Sequence, residues 1–141
     1  MINAKIQKII HDSEPELIAM RRELHQYPEL PWEEFATTQR IARELDRLGI
    51  SYRLMEPTGI VAEIKGRNDQ KTVALRADID ALPVLELNDV PYKSTVDGKM
   101  HACGHDTHTA MLLTAAKALN EIKDELNGNV RLIFQPAEEL A

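Results

Sequence analysis

His101-Ala102-Cys103-Gly104-His105-Asp106-Thr107-His108 places one thiol and three imidazoles within eight residues. Sulfur and imidazole nitrogen together suit a soft-to-borderline divalent cation, and Gly104 permits a sharp bend that would turn Cys103 and His105 inward together. A competing reading makes Cys103 a small buried hydrophobe and the histidines ordinary loop and helix-start residues. Two acidic pairs accompany this cluster. Glu138-Glu139 follows Pro136; adjacent side chains diverge in a flat strand, but a bend after Pro136 would let one carboxylate hold a metal while its neighbour faces the water to be activated, as hydrolysis requires. Solvated or helix-capping acids are the plainer alternative. Asp78 and Asp80 share a face of an extended segment, where they could accept hydrogen bonds from a ligand, shape the field around a metal, or cap a turn ahead of Pro83. Arg76 is a potential salt-bridge partner for these acids, and His25 reads as a hydrogen-bonded histidine at a helix end.

The elements that must position these groups follow from periodicity. Leu17, Met20 and Leu24 recur at helical spacing, and Ser13-Glu14-Pro15-Glu16 reads as a capping box, so either a helix begins at Ser13 or a longer one is kinked at Pro15. Pro28 and Pro31 end it. Phe35, Thr38, Ile41, Ala42, Leu45 and Leu48 mark a second amphipathic helix with Gly49 as its left-handed cap. Ser51 to Met55 and Ile60 to Lys65 read as a strand hairpin, and Thr72 to Ala77 as a further strand that Pro83 stops, leaving the aspartates at its end. Asp106 is placed to N-cap a helix with an apolar stripe of Met111, Leu112, Ala115, Ala118, Leu119 and Ile122. Gly128 separates that helix from a buried strand over Val130 to Phe134. The order of helices and near-continuous apolar strands implies an α/β fold with a parallel or mixed sheet. All three polar clusters then fall near strand ends or a helix start, where open α/β sheets bind ligands.

Composition narrows the classes further. The 141 residues suffice for one core, and 17 basic against 23 acidic residues give a net charge of -6 with no basic stripe, which argues against a nucleic-acid partner. Apolar runs are too short for a membrane span or signal peptide, and the single cysteine excludes an intrachain disulfide, so a cytoplasmic setting is expected. Glycine-rich nucleotide loops, the Gly-x-Ser-x-Gly elbow and His-Glu-x-x-His are missing, and one cysteine cannot supply the zinc-deaminase pattern.

Four ordered segments carry a resemblance: Arg22 to Leu30 (Arg-Glu-Leu-His-Gln-Tyr-Pro-Glu-Leu), Leu75 to Pro83 (Leu-Arg-Ala-Asp-Ile-Asp-Ala-Leu-Pro), Met100 to His108, and Phe134 to Glu139 (Phe-Gln-Pro-Ala-Glu-Glu). Together they closely resemble the N-terminal part of the N-acyl-amino-acid amidohydrolases, the branch with hippurate and auxin-conjugate hydrolases in the two-metal aminoacylase and carboxypeptidase family. The resemblance implies a catalytic domain with a mixed, largely parallel sheet flanked by helices and two divalent metal ions (Zn, Mn, Co or Ni). It makes Cys103 the bridging ligand, His105 and Glu139 terminal ligands, Glu138 the general base, and Asp80 a carboxylate supporting the catalytic site. Asp78 stands where much of the wider family has a metal-binding histidine, and Cys103 where it has a bridging aspartate; both are typical of this branch.

The substrate so implied is a small N-acyl amino acid or dipeptide-like amide, and the enzyme a homodimer or higher homo-oligomer. Residues 1–141 are expected to be the N-terminal part of the catalytic domain, with the lid or dimerisation domain and the remaining ligands outside them, and to be inactive alone. Two rival readings remain: a non-catalytic metal-binding or interaction module, and a cysteine-nucleophile hydrolase built on Cys103, which the Cys-Gly-His spacing fits poorly.

Overall fold

The computed structural model describes residues 1–140. Helix α1 (Ile2–Gln26) and helix α2 (Phe35–Leu48) precede strands β1 (Ser51–Leu54), β2 (Ile60–Ile64) and β3 (Thr72–Asp78); helix α3 (His105–Glu121), strand β4 (Asn129–Gln135) and a 3-10 turn (Glu138–Leu140) follow. The strands form one mixed sheet in the order β1-β2-β4-β3. β1 and β2 pair antiparallel, as the hairpin expectation required, and β2 pairs antiparallel with β4. Parallel pairing is confined to β3 and β4, in the register Asp78 opposite Gln135. β4 is therefore an inner strand, as its apolar run implied.

Alternation sorts the sheet into two faces. Ile60, Ala62 and Ile64 of β2 lie beside Phe134, Leu132 and Val130 of β4, and with Ala77 they form a core with Leu24 of α1, Ile41 and Leu45 of α2, and Leu113 and Ala116 of α3. On the other face, Val61 and Ile133 are only partly buried and Arg53 and Arg131 are exposed. No helix among the described residues is long and apolar enough to cross a membrane.

Three local expectations need correction. α1 runs through Pro15 from Ile2, so Ser13 is an interior, buried residue whose hydroxyl finds no partner among the described residues, not the start of a capping box. Packing of α1 along α3 compensates for the backbone hydrogen bond that proline cannot donate. Asp106 does not cap α3. Gly104, at φ 82°, is the N-cap, and Asp106 sits in the first turn, buried; its carboxylate receives Arg21 Nε at 2.9 Å and faces His25 Nδ1 at 2.7 Å, tying the two helices together. The buried arc of α3 also differs from the expected stripe: Met111 is half exposed, while Ala110, Leu113 and Ala116 are buried, because α3 packs against both α1 and the sheet.

Candidate metal centre

Parallel pairing of β3 and β4 brings their C-terminal ends to one edge of the sheet, and the crossover through α3 returns its N-terminus to the same edge. Asp78, Asp80, His105, Glu138 and Glu139 all arrive there for that reason. The close packing of loop and turn fixes the last two. Gly59, at φ 95°, lies so near Pro136 that a Cβ would stand 2.7 Å from the proline Cδ. Ala137 then adopts φ 53°, a conformation uncommon for a residue with a Cβ, and the chain bends into the 3-10 turn. The bend after Pro136 that the acidic pair required is present.

His105 is buried at the centre. Its Nδ1 faces two acceptors of Asp80, the backbone oxygen at 2.9 Å and Oδ1 at 3.1 Å, so the Nδ1–H donates to Asp80 and the Nε2 lone pair is turned outward. That Nε2 lies 3.6 Å from each of three carboxylate oxygens, Asp78 Oδ2, Glu138 Oε2 and Glu139 Oε1. One thiol sulfur, one imidazole nitrogen and one carboxylate oxygen from Cys103, His105 and Glu139 lie within 4.8 Å of one another. Glu139 Oε1 is buried and accepts no hydrogen bond among the described residues. An acceptor in that condition, beside an outward-facing imidazole lone pair and a thiol, fits a divalent cation.

Electrostatics point the same way. The Glu139 carboxylate facing the exposed Cys103 thiol raises its pKa above the ordinary value, and partial desolvation, Glu138 and Asp78 add to the rise. A divalent cation reverses that preference by stabilising the thiolate. Asp80 braces the arrangement: Oδ1 holds His105 and Oδ2 accepts the Glu139 backbone N–H at 2.9 Å, so one buried carboxylate fixes two of the three candidate ligands. Glu138 is more open than Glu139, with 35% against 19% of its side chain exposed.

A second group, Asp78, His105 and His108, also brings one potential ligand atom from each residue within 4.8 Å of the others. It shares His105 with the first group, and with Nδ1–H given to Asp80 the one remaining lone pair serves one cation. Asp78 is already engaged: Oδ1 faces His108 Nδ1 at 2.6 Å and Oδ2 accepts from Arg76 Nη1 at 2.9 Å. Burial alone would raise the Asp78 pKa, but the His108 hydrogen bond and the His105, His108 and Arg76 charges outweigh it and lower the pKa. Asp78 is therefore the centre of an ion-pair network beside the ligand group, and Arg76 is its partner, as expected.

Of the three clustered imidazoles only His105 joins Cys103. His108 is nearly half exposed and stacks on His105 with ring centroids 5.7 Å apart. His101 is buried with both ring nitrogens unpartnered among the described residues, and burial pushes its pKa down to about 4. His25 closes α1 as a paired histidine, facing Glu86 at 3.0 Å through Nε2 and Asp106 through Nδ1. The sequence reading missed Glu34, Glu86 and the pairing of Asp78 with His108. The contacts of Asp78 with His108, of Glu86 with His25 and of Glu34 with the Ala137 N–H span 30, 61 and 103 residues, beyond any local pattern.

Residues 74–141 match the sequence profile described as Peptidase family M20/M25/M40. N-acetylcysteine deacetylase of Bacillus subtilis (strain 168) is 53% identical over 127 residues, 89% of this chain and 33% of that protein. IAA-amino acid hydrolase ILR1-like 5 of Arabidopsis thaliana is 49% identical over 124 residues, 87% of this chain and 28% of that protein. A solved Bacillus subtilis structure, described as a dinuclear metal binding peptidase from the M20 family, superposes with a TM-score of 0.85 at 53% identity, over 89% of this chain and 35% of that one. The chain thus spans about a third of the length of the curated relatives it matches.

Proposed function

We propose that this chain, which belongs to peptidase family M20/M25/M40, is the N-terminal part of the catalytic domain of a metal-dependent amidohydrolase acting on N-acyl amino acids or related small amides. The observation that carries the reading is the convergence of Cys103, His105 and Glu139 within 4.8 Å, with Glu138 alongside and Glu139 Oε1 without a donor among the described residues. The relatives' names support the substrate class, since a deacetylase of N-acetylcysteine and a hydrolase of IAA-amino acids both open an amide on an amino acid.

In this reading Cys103, His105 and Glu139 hold metal, Asp80 sets the orientation of His105 and of the Glu139 backbone, and Glu138 is the general base. Two divalent ions, Zn, Mn, Co or Ni, would polarise the amide carbonyl and acidify the attacking water when bound. Three ligands are too few for two ions, so further ligands belong to the complete site. Glu138 takes the water proton on a carboxylate oxygen as the water oxygen bonds the carbonyl carbon, then delivers it to the amide nitrogen as the carbon–nitrogen bond breaks. Its greater exposure suits a group that must meet both water and leaving nitrogen. Cys103 used as a ligand requires a reduced thiol, which supports a cytoplasmic setting, and the family resemblance supports a homodimer or higher homo-oligomer for the full-length protein.

Metal analysis of the complete protein, paired with a hydrolysis screen over N-acyl amino acids, tests the proposal. Stoichiometric metal and chelator-sensitive hydrolysis are expected. Bound metal without turnover would support the metal-binding module instead, and activity indifferent to chelators but lost to thiol reagents would support a Cys103 nucleophile.

A further inference from the structure

Glu34 stands at the N-cap of α2, yet its side chain makes no capping bond to its own helix. Glu29 does that work, accepting Ala36 N–H at 2.9 Å and Thr37 N–H at 2.7 Å. The Glu34 side chain is directed elsewhere. It is fully buried, at 0% exposure, and its two oxygens are divided between separate segments: Oε1 accepts the Ala137 backbone N–H at 2.7 Å and Oε2 accepts the Thr58 hydroxyl at 2.7 Å. Ala137 is the residue with φ 53° at which the chain leaves β4 and turns towards Glu138 and Glu139.

A fully buried carboxyl group needs a strong return for its desolvation, and ordinary capping would not require burial. We propose that Glu34 is a positioning residue for the acidic pair: by holding the Ala137 N–H it fixes the left-handed bend, and with it the direction of Glu138 and Glu139. Asp80 holds the Glu139 N–H from the opposite side, so the turn is clamped at both ends by buried carboxyl groups. Thr58 anchors Glu34 in turn, and its neighbour Gly59 packs on Pro136. The inference rests on the metal-centre reading above and extends it to a residue that touches neither ligand nor base.

Cobalt(II) titration of the complete protein, followed by the sulfur-to-cobalt charge-transfer absorption that Cys103 ligation would produce, tests this without recourse to turnover. Glu34→Leu keeps the bulk and strands the Ala137 N–H; it is expected to weaken cobalt affinity about 10- to 100-fold while near-UV circular dichroism shows a folded protein. Glu34→Gln can still accept from Ala137 and can donate to Thr58, so it is expected to restore affinity close to the parent. Unchanged cobalt affinity in folded Glu34→Leu overturns the inference, as does a Gln variant as weak as Leu. If Glu34→Leu does not fold, Glu34→Asp decides: shortening the side chain by one methylene releases Ala137 and should lower affinity about tenfold, and an unchanged value overturns the inference. Failure of the parent itself to bind cobalt would instead sink the metal reading on which the inference stands.

Discussion

Glu138 and Glu139 are identical side chains one residue apart, and the difference in their surroundings supports the different work proposed for them. Glu139 is the more buried, its backbone N–H is held by Asp80 and its Oε1 has no donor among the described residues, whereas Glu138 reaches towards solvent with Oε2 3.6 Å from His105 Nε2. With Glu138 as the proposed base, Glu138→Gln in the full-length protein should cut kcat by about 10² to 10⁴, the span of general-base contributions, while metal content stays near that of the parent. Glu139→Gln should lose metal as well, because it replaces an anionic donor with a neutral amide. Metal stoichiometry and kcat measured on the same samples check both outcomes; metal loss confined to Glu138→Gln would reverse the two assignments. Residue types and element ends suggested a metal cluster in the sequence, and the family resemblance singled out Cys103, His105 and Glu139 within it. Glu34 was not legible: it is one acid in an acid-rich segment, and its meaning resides in a backbone N–H 103 residues away.

At the scale of elements, α2, the β1–β2 hairpin and β4 were readable because their patterns are local. The start of α1 and the buried arc of α3 were not, since both are set by the packing of the two helices on each other. The long segment between β3 and α3 depends on Glu86, which accepts Ser94 N–H at 2.6 Å and faces His25 at the end of α1. Burial would raise the Glu86 pKa, but its hydrogen bonds from Ser94, His25 and Asn88 outweigh that and hold it at about 2, below the usual 4.5. A carboxyl pKa lowered by folding contributes stability above the unfolded pKa that is lost as pH falls through the folded one. Glu86 should thus contribute on the order of 3 kcal/mol at neutral pH, lost between pH 4.5 and about 2. Denaturant unfolding at a series of pH values should show that loss in the parent and a flatter profile in Glu86→Gln; equal slopes would refute the assignment. Gly59→Ala tests the neighbouring contact. Its Cβ would lie 2.7 Å from Pro136 Cδ at φ 95°, so a loss of about 1 to 3 kcal/mol is expected in the same unfolding assay, together with weaker metal binding from a displaced turn.

On the scale of the whole molecule, the four-stranded sheet is covered unequally. The core lies between one face and the three helices, while the other face leaves Val61 and Ile133 part-exposed around a hollow of about 540 Å³ that Trp32, Met55 and Leu140 also line. β3 is an edge strand whose outer side pairs with no strand among the described residues, and its Val73 is half exposed. Unpaired strand edges and apolar faces of this kind template association unless something covers them. Prepared as these 141 residues alone, the chain should therefore self-associate with rising concentration and show no hydrolysis of N-acyl amino acids, since the three candidate ligands do not complete the proposed two-ion site. Sedimentation velocity across a concentration series, with a charge introduced by Ile133→Lys as the comparison, separates the causes. If the uncovered face drives association, Ile133→Lys should shift the chain towards monomer while preserving its helical circular dichroism, because the side chain enters no core contact. If the β3 edge drives it, Val73→Lys should do so and Ile133→Lys should not. A parent chain that stays monomeric, unfolds cooperatively and turns over an N-acyl amino acid would show that the sheet needs no cover and that the site is complete within these residues.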